Sequence, residues 1–329
     1  VEENLIQKDR NRWLIPDDFS KWTLPTSIAA TIKHRLARLS DAALQLIRLA
    51  ALVGRKIELR LLESLSGLTD SELFEVLEEL VERQFLNRGH DFLIFPHDRV
   101  RETLDGLLKE EEFDQWRTLH QKIGEWQEEE GGYSAAQLAH HFKNGTDSIR
   151  AYRYLLQAGD EASNRMEQSL LINEGLKILE SIEVENKATI LQEQRRKLAW
   201  ICYMIHPGIC IETCTKLLDM LEAKGESIER RVEYESLLIS SYTMVSRNED
   251  ALGRADKLMG KLTQGSMPYA LILFGRLNAL LTRGELRQLA ADMETVAKVL
   301  KAHPEALKGR MIWIYGFCCF IREDAIAWL

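Results

Sequence analysis

The reactive residue types concentrate in one stretch, Phe92-Leu93-Ile94-Phe95-Pro96-His97-Asp98-Arg99-Val100-Arg101. Phe92, Ile94 and Pro96 alternate with Leu93, Phe95 and His97, the period of two that marks a strand. Pro96 has a fixed φ and suits the opening of a helix. His97 and Asp98 then lie beside the unsatisfied N–H groups of a helix start, a place that favours anions. Two readings follow from these residues. Either His97 contacts a phosphate, or the His-Asp pair caps a helix and closes a hairpin onto it.

The other candidate ligands and nucleophiles read as structure. Cys202, Cys210, Cys214, Cys318 and Cys319 form no C-x-x-C pair, and their odd number fits a reducing, cytoplasmic setting better than a disulfide framework. Cys210 and Cys214 sit one helical turn apart, a spacing that permits a shared metal. No histidine pair lies close by, so two buried thiols are expected instead. His140 and His141 are adjacent, which points them about 100° apart on a helix, and both read as packing residues. The sequence contains no G-x-x-x-x-G-K-[ST], H-E-x-x-H, G-x-S-x-G or kinase H-R-D and D-F-G set. No catalytic residue and no metal site is expected, and the chain reads as non-enzymatic.

The elements that position His97 follow from composition and periodicity. Six prolines in 329 residues, with Leu, Ala, Glu, Arg and Lys plentiful, point to helices. The length calls for more than one domain or a repeat array. A net charge of −8 argues against nucleic acid or an anionic membrane as partner. The longest apolar run, Met311 to Ile321, is too short for a bilayer. The chain starts at Val1 and stops at Leu329 within an apparent helix, as expected of a piece of a larger protein.

Residues 1–24 read as two short extended pieces, Leu5–Lys8 and Arg12–Ile15, the tail of a preceding domain or a linker. From Pro25 the pattern is helical, with Ile28, Ile32, Leu36 and Leu39 on one face. Ser40-Asp41 caps a second helix carrying Leu44, Ile47 and Ala51, which Gly54 ends. A short piece, Lys56-Ile57-Glu58, leads to a third helix ending at Gly67. Thr69-Asp70-Ser71-Glu72 is a capping box for a fourth helix that turns Leu73, Leu77, Leu80 and Val81 inward. Phe85–Asn87, a turn at Gly89-His90-Asp91 and Phe92–Phe95 form a hairpin, and His97 opens the closing helix. Helices, a two-stranded wing and a helix describe a winged-helix domain over residues 25–108.

DNA binding by that domain is an alternative. The helix before the wing would need basic or amide side chains facing the groove. It carries Asp70, Glu72, Glu75, Glu78, Glu79 and Glu82 against Arg83 alone, and residues 25–108 hold 11 Lys plus Arg against 13 Asp plus Glu. Carboxylates repel the phosphates that supply most of the affinity.

Residues 109–183 read as a helical connector or first repeats, with Phe113, Trp116, Leu119, His120 and Ile123 on one helix and Leu138–Phe142 on another. Residues 184–329 pair helices at about 188–205 with 209–223, 228–245 with 248–263 and 268–282 with 285–301. Arg247-Asn248-Glu249 and Arg283-Gly284-Glu285 mark matching turns and give a period in the middle thirties. The array reads as a TPR-like α-solenoid, each pair leaving an apolar face for its neighbour to cover. Residues 109–329 carry a net charge of −5, which favours a basic partner.

Leu24-Pro25-Thr26-Ser27-Ile28, Arg35-Leu36, Leu39-Ser40, Ala50–Arg55, Leu77–Val81, Phe95–Asp98 with Arg101, Leu119-His120 and Leu138–Phe142 together resemble the region after the ATPase core of bacterial STAND-type signalling ATPases. The resemblance covers roughly residues 1–180, and the remainder as architecture only. It implies a mainly α chain: a winged helix followed by TPR-like repeats. Such regions belong to ATPases fused to LuxR-type regulators, nucleotide cyclases or protein kinases. It implies an upstream ATPase domain and a protein or small-molecule inducer as partners, with ATP or ADP bound by the parent protein. Phe95-Pro96-His97-Asp98 also resembles the Met-His-Asp motif of NB-ARC ATPases, with Pro in place of Met. There the histidine touches the β-phosphate of ADP and holds the closed state, which implies that His97 and Asp98 sense nucleotide in the parent protein. A passive TPR scaffold without a nucleotide link is the remaining alternative.

Overall fold

The computed structural model describes residues 7–9, 12–14, 28–89 and 92–302, in two units, Val1–Trp126 and Gln127–Leu329. Pro25, the turn residues His90 and Asp91, the apolar run from Met311, Cys318 and Cys319 lie outside the described residues. Among the described residues are fifteen α-helices and five short strands, so the mainly α reading stands.

In the first unit β1 (Gln7–Asp9) pairs antiparallel with β2 (Arg12–Leu14), Lys8 opposite Trp13. After α1 (Ile28–Leu36), Ser40 caps α2 (Asp41–Val53) by accepting the Ala43 N–H at 3.2 Å. The same serine donates its N–H and Oγ–H to Glu79, at 3.0 and 2.6 Å, which ties the start of α2 to a later helix. β3 (Lys56–Glu58) runs into α3 (Leu59–Leu65). The Thr69–Glu72 capping box is present: Thr69 N–H donates to Glu72 at 2.8 Å, and Glu72 N–H to Thr69 Oγ1 at 3.4 Å. It opens α4 (Asp70–Glu82), which buries Leu73, Val76, Leu77 and Leu80. Val76 takes the inward place expected of Val81, because the i, i+3, i+4, i+7 stripe from Leu73 falls on it.

β4 (Asn87–Arg88), β5 (Phe92–Ile94) and α5 (Asp98–Glu111) follow. The hairpin acquires a third strand. β3 pairs antiparallel with β5, Ile57 opposite Leu93, and gives a sheet of order β3-β5-β4. A strand as short as Lys56–Glu58 is too brief for period two to show, so it read only as a connector. Ile47, Ile57, Leu61, Leu62, Leu80, Phe85, Leu86, Phe95 and Leu108 are fully buried and join sheet to helices in one core. α6 (Phe113–Glu130) closes this unit and runs on into the second.

The second unit is helical. Capped starts at Ser134, Asp147 and Asn164 open α7 (Ala135–Asn144), α8 (Ser148–Glu161) and α9 (Arg165–Ser181). Then come α10 (Lys187–Cys202) with α11 (Pro207–Ala223), α12 (Ile228–Met244) with α13 (Asn248–Met259), and α14 (Met267–Arg283) with α15 (Leu286–Ala302). From α7 onward each helix packs on the next, and α12 also packs on α10 and α14. That i, i+2 contact makes the pairs a stack rather than a chain of separate hairpins.

The pairs open at Lys187, Ile228 and Met267, so the period is longer than the expected middle thirties. Arg247 precedes α13 whereas Arg283 ends α14, so the two arginines are not equivalent positions. The stack is tight where α14 crosses α12. A Cβ on Gly275 would lie 3.1 Å from the Ser236 carbonyl oxygen and 3.3 Å from Ile239, and Ser236 Oγ donates to the Leu271 carbonyl at 2.8 Å. Ion pairs link the helices: the half-buried Arg254 to buried Glu235 at 2.6 Å, and the buried Arg276 to the exposed Asp256 at 2.7 Å and to buried Asp292 at 3.0 Å.

Candidate functional site

β5 and α5 place His97. Phe95 is fully buried, and its N–H donates to the Arg55 carbonyl at 3.2 Å, which pins the strand end against the segment before β3. Pro96 follows half-buried, and His97 is the N-cap of α5 with extended backbone, φ −136° and ψ 127°. The Val100 N–H donates to the His97 carbonyl at 3.1 Å. The His97 side chain makes no capping hydrogen bond, and the residue is exposed. The ring therefore stands outward at the positive end of a 14-residue helix.

Asp98 is the first residue of that helix, where a carboxylate complements the dipole. Its Oδ2 lies 3.8 Å from Arg55 Nη1, with side chains 49% and 65% exposed. At that distance and exposure the pair steers Asp98 weakly. Asp98 holds the helix start, as expected, and also lies toward Arg55. The Arg55 link joins residues distant in the chain, which no local pattern signals.

The remaining candidates fall into packing. His141 is 3% exposed, whereas His140 is exposed; their rings meet edge to face with centroids 5.2 Å apart. His140 therefore does not share the buried packing role expected of both. His120 is buried against Trp116, ring centroids 4.6 Å apart, and Trp116 Nε1 donates to Asp105 at 2.7 Å. Cys202, Cys210 and Cys214 are fully buried, with 3.8 Å between the sulfurs of Cys210 and Cys214. Hydrogen bonding to Cys210 and then burial push the Cys202 and Cys214 thiols far above their ordinary range, so both stay protonated. Among the described residues no cluster of His, Cys, Asp and Glu is arranged to hold a metal, and no helix is long and apolar enough to cross a membrane.

The arrangement offers an outward imidazole and a carboxylate at a helix start. Among the described residues at this junction no nucleophile is paired with a base. No protein-family model matches the chain, and no curated protein matches it. Solved structures similar to the chain include two of particular note. One is a Rap protein complexed with competence and sporulation factor, 16% identical, covering 67% of this chain and 71% of that one, with a TM-score of 0.37. The other is a signal transduction ATPase with numerous domains, with a tetratricopeptide repeat sensor, from Pyrococcus horikoshii. It is 12% identical over 93% of this chain and 50% of its own, with a TM-score of 0.34. Both TM-scores lie below 0.5, so the class of protein rests on the helices themselves: a mainly helical chain whose stacked antiparallel pairs follow a small mixed unit in sequence.

Proposed function

We propose that this chain is the non-catalytic, regulatory portion of a bacterial STAND-type signalling ATPase. Residues 25–108 act as a winged-helix switch that reads the nucleotide state of an upstream ATPase domain. The TPR-like helical repeats bind a protein or small-molecule inducer. The observation that carries this reading is the order α2, β3, α3, α4, β4, β5, α5 around a three-stranded antiparallel sheet, with His97 outward where the sheet hands over to α5. ATP and ADP belong to the parent protein, and His97 is the residue that donates to a phosphate there.

Direct DNA binding is the weaker reading. Asp70, Glu75 and Glu82 are exposed on α4 and have no ion pair among the described residues, a poor surface for a phosphate backbone. The reading places the molecule in the cytoplasm, without nucleic acid or membrane as partner. Calorimetric titration of ATP and ADP into the isolated chain and into the full-length protein tests it. Heat of binding is expected only from the full-length protein. Micromolar binding by the isolated chain contradicts the assignment of the nucleotide to the parent protein, and binding by neither contradicts the nucleotide link and leaves a scaffold.

A further inference from the structure

A pocket of about 410 Å³ lies within the first unit between α2, the end of α3 and α6, on residues that the nucleotide reading does not use. Asp41, Gln45 and Leu49 follow one another at intervals of four on one face of α2, and Leu46 lies beside them. Leu46 and Leu49 are buried and form the floor, while Leu65, Leu68 and Leu119 stand half-buried around it. Sites for small ligands are built in this way, apolar with a few polar groups at fixed places. The walls are tied together beside the pocket. Gln115 Nε2 donates to Gln45 Oε1 at 2.9 Å, which links α6 to α2, and Arg48 of α2 pairs at 2.7 Å with Glu112, the residue before α6.

The polar lining selects the occupant. Asp41, Gln45 and Ser66 supply it, and Asp41 carries the only formal charge among the lining residues. Its carboxylate is exposed and has no ion pair among the described residues. The start of α2 offsets about half an elementary charge and leaves the rest for a ligand. An anion entering the pocket meets that carboxylate, and a neutral molecule leaves it unpaired. We propose that the pocket binds a small molecule with an apolar body and one ammonium group, the body on the leucines and the ammonium at Asp41. The inference does not depend on a nucleotide reaching His97.

Phenylbutylamine, phenylbutanol and phenylbutanoate share one apolar body and differ in the charge of the head group, which is positive, absent and negative at neutral pH. Titrating each into the whole chain, with leucine methyl groups labelled for NMR, tests the proposal. The amine should give saturable shifts at the methyl groups of Leu65, Leu68 and Leu119. It should bind about two- to fivefold more tightly than the alcohol, the range of an exposed ion pair, and the carboxylate should bind more weakly still. Added salt should erode the amine's advantage in the unaltered chain. Asp41→Asn falls on an exposed position, where an unchanged thermal melt confirms folding, and should bring the amine down to the alcohol. No saturable shift at these leucines, an alcohol or carboxylate that binds as tightly as the amine, or an amine preference that survives salt or Asp41→Asn overturns the proposal.

Discussion

Gly275→Ala should destabilise the chain, whereas the same substitution at Gly253 should stabilise it. Both glycines lie inside helices of the stack, α14 and α13, where alanine gains about 0.5–1 kcal/mol in helix propensity. They differ in what a methyl group meets. Nothing lies within 4 Å of a Cβ on Gly253, so the propensity gain is realised in full. At Gly275 the methyl would sit 3.1 Å from a backbone oxygen and 3.3 Å from the Cβ and Cγ2 of Ile239. None of these is the end of a flexible side chain, and Ile239 is stiff at χ1. Relief requires α12 and α14 to part, and overpacking of this kind costs about 1–3 kcal/mol. The balance is a net loss of about 1 kcal/mol at Gly275 against a gain of up to about 1 kcal/mol at Gly253. Those values correspond to shifts of roughly 2–4 °C in opposite directions. Urea unfolding of both variants, read at the midpoint with the slope unchanged, measures them. Equal stabilisation by both substitutions would refute the close crossing of α12 and α14.

The Glu235–Arg254 pair should respond asymmetrically. Arg254→Met strands a carboxylate that is 5% exposed and should cost about 3–5 kcal/mol, while Glu235→Gln leaves an arginine that is 36% exposed and reaches water, so urea midpoints should fall much less. Two carboxylates should give opposite pH responses. Burial raises the Asp292 pKa despite Gln288 and Arg276, so its contribution is present below about pH 3.9 and is lost as pH rises; Asp292→Asn should be at least as stable at pH 7, with a flatter melting profile from pH 4 to 7. Burial also opposes ionisation of Glu180, but hydrogen bonds from Lys216 and Arg195 outweigh it and lower its pKa. Its contribution is present above about pH 4.3 and is lost on acidification, so Glu180→Gln should melt earlier at pH 7 and lose less on acidification.

What was legible in the sequence was local. The Thr69–Glu72 box, the Ser40 cap and the Phe92–Ile94 strand depend on residues within a helical turn or a few strand positions of each other, and they stand where spacing put them. The helix pairs were legible because an apolar stripe repeats along the whole of each helix. What was hidden is long-range. β3 pairs with a strand that two helices and another strand separate from it in the chain, and the true pair interval was obscured by two arginines at unlike positions. Burial of Arg276 and Asp292 goes against their residue types and becomes intelligible only once α14 and α15 face each other. At the candidate site, the strand-to-helix junction and the exposed His97 were readable. The Arg55 link to Asp98 was not, since nothing nearby in sequence points to it.

The switch role of His97 is tested most directly by ADP retention in the full-length protein carrying His97→Ala. His97 is exposed and caps nothing with its side chain, so the substitution should cost only about a few tenths of a kcal/mol in stability. A charge-assisted hydrogen bond to a phosphate contributes about 1.5–3 kcal/mol, and its loss from the closed state alone shifts the closed-to-open ratio by roughly 10- to 150-fold. The expected result is accelerated ADP loss and raised basal output at an unchanged melting temperature. ADP retention and basal output both equal to wild type would contradict the switch and leave His97 as the cap of α5.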